Sequence, residues 1–165
     1  EQAKNRLRFL DYLDGMCAKK ETLEVHVHKA IEKNLWLFGA EYNLFSSNNT
    51  LKRQVEDFLD RKYVGSNSDN RPDLFLTTNL NGERLLIEFK RPSHALVYND
   101  YQQATGYRND FHKNGIDQQI NVIIIGGRLG SDLPAQERRE PNVSIMTFMD
   151  LISMARRQYE WLLDE

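Results

Sequence analysis

Residues 120–125 read Ile-Asn-Val-Ile-Ile-Ile, and Gly126-Gly127 follows at once. A run this rich in β-branched residues, without the polar alternation of a half-exposed strand, is typical of a strand covered on both faces. A chain built around such a strand needs apolar layers on both sides of a sheet. Its flanks supply the helices. Residues 1–19 read as a charged, moderately amphipathic helix. Residues 21–38 read as a stronger one, with Leu23, Val27, Ala30, Ile31, Leu35 and Phe38 on one stripe and Gly39 as its stop. Leu51, Val55, Phe58 and Leu59 mark a short helix. Residues 98–113 form another, with Ala104, Tyr107 and Phe111 on one face. Thr147 and Asp150 have the spacing of a capping box for a last helix ending near Leu163.

Further strands are expected at 42–45, 72–78, 84–91 and 143–146. Asn81-Gly82 is a strong hairpin signal between the second and third of these, and Pro92 ends the third. Residues 46–49, 66–70 and 128–142 read as polar or charged loops. The resulting order is an α/β sandwich: a mixed central sheet flanked by helices. The 165 residues suit one domain, with a core over about 21–125 and a C-terminal strand and helix over 143–164. The chain starts at Glu1 without a methionine, so a fragment of a longer protein is expected. No apolar run is long enough for a membrane-spanning helix. Cys17 is the single cysteine, so neither a disulfide framework nor a cysteine zinc site is expected, and a cytoplasmic setting fits. A net charge of -2 neither announces nor excludes nucleic-acid binding.

The chemistry concentrates in Arg71-Pro-Asp-Leu and Leu86-Ile-Glu-Phe-Lys-Arg-Pro. Side chains alternate along a strand, so Glu88 and Lys90 share a face. A two-residue turn at Asn81-Gly82 would set Asp73 opposite Lys90, with Glu88 on the diagonal. Leu74, Leu76, Ile87 and Phe89 then occupy the other face. Two carboxylates and an ammonium on a buried hairpin are costly without a purpose. Magnesium or manganese supplies one: Asp73 and Glu88 offer carboxylate oxygens and the Phe89 backbone carbonyl a third. Such an ion can activate water and offset charge on a phosphate. Lys90, a compact point charge, can orient the water or stabilise the pentavalent phosphorus.

Pro72-Asp73 followed by Glu88-Phe89-Lys90 resembles the PD-(D/E)xK nuclease superfamily, whose core of helix, three strands, helix and strand matches the order above. More narrowly, Ile31-Glu-Lys-Asn-Leu-Trp-Leu-Phe-Gly39, Arg71-Pro-Asp-Leu74, Ile87-Glu-Phe-Lys-Arg-Pro92 and Gln103-Ala-x-x-Tyr107 resemble the nuclease domain of Shedu anti-phage defence proteins. The resemblance implies a restriction-endonuclease-like fold and a metal-dependent endonuclease acting on double-stranded DNA, often as a homo-oligomer. It also implies a glutamate from the first core helix beside the metal. Glu24 is the candidate, since it falls inside the apolar stripe while Glu21 and Glu32 fall outside. Gln103, on the inward face of its helix, is expected to hold Lys90, a ligand or a phosphate.

Other signals are weaker. His26 and His28 point about 200° apart on a helix and cannot share one metal, so surface or packing roles are expected. Arg91, His94 and Arg108 are candidate DNA contacts, with Lys113, Arg128, Arg138 and Arg139 as further cations of a DNA track. Trp36 and Trp161 read as core anchors. Gly126-Gly127 lacks the following pattern of a phosphate loop. The competing readings are a nuclease-fold module that only binds DNA or assembles, which the intact Asp73, Glu88 and Lys90 argue against, and a different metal enzyme, which no other motif supports.

Overall fold

The computed structural model describes residues 1–39, 42–47, 50–59, 62–65, 69–78 and 81–163. Five helices, α1 (Gln2–Cys17), α2 (Glu24–Glu32), α3 (Leu51–Leu59), α4 (Tyr98–Lys113) and α5 (Phe148–Leu163), surround strands β1 (Tyr42–Ser47), β2 (Leu74–Thr78), β3 (Arg84–Phe89), β5 (Ile120–Gly126) and β7 (Val143–Thr147). These strands form a mixed sheet in the order β1-β2-β3-β5-β7. The β1–β2 and β2–β3 pairs are antiparallel, while β3–β5 and β5–β7 are parallel. Two short strands, β4 (Ala95–Leu96) and β6 (Arg128–Leu129), pair separately.

The apolar run behaves as its composition requires. Ile120, Val122 and Ile124 of β5 pack with α3 and α4, while Ile123 and Ile125 pack with α1, α2 and α5. The hairpin divides the same way. Leu74, Leu76, Ile87 and Phe89 enter the α1–α2–α5 layer, and Phe75 and Leu86 enter the α3–α4 layer. Glu88 continues the face of Leu86, so it is carried toward α4. The expected capping box forms reciprocally: Thr147 N–H donates to Asp150 Oδ2 and Asp150 N–H to Thr147 Oγ1, both at 3.1 Å.

The helix expected over residues 21–38 is shorter. His26 Nδ1 accepts from the Leu23 backbone N–H at 3.0 Å, which fixes the start. Asn34 ends it by donating from Nδ2 to the Ala30 carbonyl at 2.9 Å, while its Oδ1 accepts from Trp36 Nε1 at 3.0 Å. Residues Leu35–Phe38 continue as a 3-10 turn. Of the two tryptophans, Trp36 packs edge-on against Phe9 and Tyr159, whereas Trp161 is 62% exposed and anchors nothing in the core.

The hairpin register also departs from expectation. The pairs run from Leu74↔Ile87 to Thr77↔Arg84, which sets Asp73 against Glu88 instead of Lys90. Gly82 does take the left-handed conformation, with φ 67°, but the turn is wider than two residues. The tip residues Asn79 and Leu80 lie outside the described residues, as do 48–49 and 66–68 of the two expected polar loops.

Gly126 and Gly127 close β5 for a packing reason. A Cβ at Gly127 would meet the Pro92 carbonyl oxygen at 1.7 Å. Without one, residues 92–96 cross the end of β5, and Gly127 N–H donates to the His94 carbonyl at 2.9 Å. The segment that follows Lys90 is thereby held. No helix among the described residues is long and apolar enough to cross a membrane.

Candidate active site

Asp73 lies one residue before β2, and its Oδ2 accepts the Phe89 backbone N–H at 2.7 Å. Its Oδ1 is 3.8 Å from His28 Nδ1. Glu88, opposite, is 4% exposed. One of its oxygens, Oε1, faces Lys90 Nζ at 3.5 Å, and the other has no hydrogen-bond partner among the described residues. Burial pushes the Glu88 carboxyl well above its ordinary range, and the charges of Asp73 and Glu24 push it further; Lys90 opposes them. The hairpin therefore brings two carboxyl groups together, with the Lys90 ammonium beside one of them.

Lys90 has three acceptors around it: Gln103 Oε1 at 3.3 Å, Glu88 Oε1 at 3.5 Å and Asp100 Oδ1 at 3.7 Å. Burial works against its charge, but the fields of Glu88, Glu24, Asp100 and Asp73 outweigh it and hold the amine above the ordinary lysine value. Tyr107, one helical turn beyond Gln103, has its hydroxyl ionisation pushed up by burial and then by Glu88 and Asp73, while Gln103 opposes the shift. Helix α4 thus delivers Gln103 and Tyr107 to the end of β3, as the inward face expected for Gln103 requires.

An open cleft of about 630 Å³ leads to this cluster, lined by Glu24, His28, Lys29, Asp73, Arg91 and His94 among others. Glu24 is not inside an apolar stripe. The shortened helix puts it exposed in the first turn of α2, where its charge still reaches Glu88 and Lys90. Arg91 is exposed at the cleft, and the His94 ring bonds Asp100 Oδ2 at 2.8 Å. Arg108 is not available to DNA. It is 6% exposed and is held by the carbonyls of Ile120 and Pro141 and by Glu140, so it pins residues 140–141 to β5. Lys113, Arg128 and Arg138 are exposed, and Arg139 bonds the Pro134 carbonyl.

Three residues here were given no part in the site by the sequence: His28, expected in a surface or packing role, Tyr107, expected in the core, and Asp100, which was not named. His28 is 3% exposed and sits between Asp73 and Glu32. A usable signal existed, since His28 is four residues beyond Glu24 and therefore on the same side of a helix. Tyr107 reads as core from its spacing; the signal for it was its place four residues after Gln103, on the same side of the helix. Asp100 reads as an ordinary acidic residue of a first helical turn. Among the described residues no three His, Cys, Asp or Glu side chains form a ready-made metal cage. No family model matches the chain, and no curated protein matches it.

Proposed function

We propose that this chain is a metal-dependent endodeoxyribonuclease with a restriction-endonuclease-like fold, hydrolysing phosphodiester bonds of double-stranded DNA as the effector of a bacterial anti-phage system. One observation carries the reading: Asp73 faces Glu88 across the hairpin while Glu88 Oε2 lies buried without a hydrogen-bond partner among the described residues. A buried carboxylate oxygen beside a second carboxylate fits a hard divalent cation. Asp73 and Glu88 would hold magnesium or manganese. The Phe89 carbonyl fits as a third oxygen, because its N–H already faces Asp73 and both groups of a strand residue face the same neighbour. Magnesium keeps several waters, so two carboxylates suffice without a closed cage.

When bound, the metal supplies Lewis-acid polarisation of the phosphate and a more acidic water. The chain's own residues do the rest. Asp73 is fixed by its backbone hydrogen bond and Glu88 by burial, so neither must reorganise. Lys90, kept charged by its neighbours, offsets negative charge growing on the phosphorus oxygens. Gln103 holds the ammonium in place through its Oε1.

Plasmid cleavage with magnesium or manganese, abolished by EDTA, tests the activity. Calorimetry tests the site. Asp73→Ala and Glu88→Ala should each remove magnesium binding while the fold survives, and unchanged affinity in both would refute the assignment. Glu24 acts from the rim, so Glu24→Gln should lower cleavage while shifting stability by no more than about 0.5 kcal/mol. Wild-type cleavage rates in that variant would exclude Glu24.

A further inference from the structure

Asp100 has no part in the scheme above, yet the residue is 5% exposed and its carboxylate touches three groups. Its Oδ2 accepts the Val97 backbone N–H at 2.9 Å and lies 2.8 Å from His94 Nε2. Its Oδ1 lies 3.7 Å from Lys90 Nζ. The start of helix α4, a histidine lining the cleft and the ammonium of the candidate site thus meet on one buried carboxylate.

Helix capping accounts for the first contact only. The acceptor for the Val97 N–H could as well be the amide oxygen of an asparagine, which carries no charge. Burying a charge is costly unless it is paired. The charge is accounted for by its partners, Lys90 and His94. Of the acceptors around Lys90, Gln103 is neutral, and Glu88 would share its charge with a bound cation. Asp100 is then the anion whose hold on Lys90 does not weaken when the site is loaded.

We infer that Asp100 is a positioning residue: it keeps the Lys90 ammonium aimed at the reacting phosphate and locks the His94 ring on the cleft wall, joining residues 91–97 to helix α4 as one unit. This rests on the nuclease reading. It goes beyond it by assigning the precision of the lysine to a residue outside the Asp73, Glu88 and Lys90 set.

Asp100→Asn keeps the capping acceptor and removes the charge. At saturating magnesium, kcat for plasmid cleavage should fall about 10- to 100-fold, as for loss of other supporting partners, with KM for DNA little changed. In a Lys90→Ala background the same substitution should cost nothing further, because Asp100 acts through Lys90. The ring nitrogen resonances of His94 should report a single tautomer in the wild type and lose it in Asp100→Asn. If the asparagine variant fails to fold, Asp100→Ser retains an oxygen acceptor and serves the same comparison. Undiminished kcat, an additive loss in the Lys90→Ala background, or an unchanged His94 ring would overturn the inference alone. A wild type that never cleaves DNA with any divalent metal would overturn the nuclease reading, and this inference with it.

Discussion

Replacing Lys90 with alanine should slow DNA cleavage by roughly 100-fold or more, the scale seen when a preorganised electrostatic stabiliser is removed. The structure sharpens what else the variant should do. Lys90 opposes the upward shift of Glu88, so without it Glu88 holds its proton more tightly. Protons compete with cations for a carboxylate. Magnesium affinity in Lys90→Ala should therefore drop, and should recover as pH is raised far enough to ionise Glu88. There it should equal or exceed the wild type, since a positive neighbour has been removed. DNA affinity should change by about one phosphate contact, or about 0.9 in the slope of log affinity against log salt. Full cleavage by Lys90→Ala would sink the role. A loss of DNA binding with no wild-type cleavage to lose would point to a module that only binds.

The layered architecture was readable because it follows from local alternation. In residues 120–125 each side of the strand is apolar except at Asn121, and the structure buries those sides against different helices. The face shared by Glu88 and Lys90 was readable for the same reason. The register was not. Moving a strand by two residues leaves every side chain on its original face, so the apolar pattern of Leu74, Leu76, Ile87 and Phe89 permits Asp73 opposite either Lys90 or Glu88. Helix α2 was overextended because Leu35 and Phe38 keep the helical spacing, while the Asn34 side chain takes the Ala30 carbonyl and ends the helix. Arg108 looked like a DNA contact because a charge is presumed exposed. Its partners, at residues 120 and 140–141, come together only when residues 128–142 fold back. Asp100 and His28 share this property: each acquires meaning from a group distant in sequence or across a loop.

Replacing Glu88 with glutamine should make the metal-free protein more stable at neutral pH while reducing cleavage to background. The folded state raises the Glu88 pKa well above its ordinary 4.5, chiefly by burial and then by repulsion from Asp73. Below 4.5 the carboxyl is neutral in both folded and unfolded chains, and its contribution to stability is fully present. As pH rises toward the folded value, the unfolded chain releases this proton and the folded chain keeps it. Stability then declines, by at most about 1.4 kcal/mol per pH unit, until the folded carboxyl also ionises. Glutamine imitates the neutral acid and keeps an oxygen toward Lys90, so Glu88→Gln should escape this decline. In EDTA its Tm should exceed that of the wild type at neutral pH, by about 2–4 °C for each kcal/mol relieved, and the two should converge in acid. Magnesium should reverse the ranking. A ligand bound only by the folded state adds about 2.7 kcal/mol at 100 times its Kd, so the wild type should gain Tm with magnesium and Glu88→Gln should not. A Glu88→Gln variant that melts lower than the wild type at neutral pH would show that the buried carboxylate is already compensated within the chain. The motive for placing a cation there would then be gone.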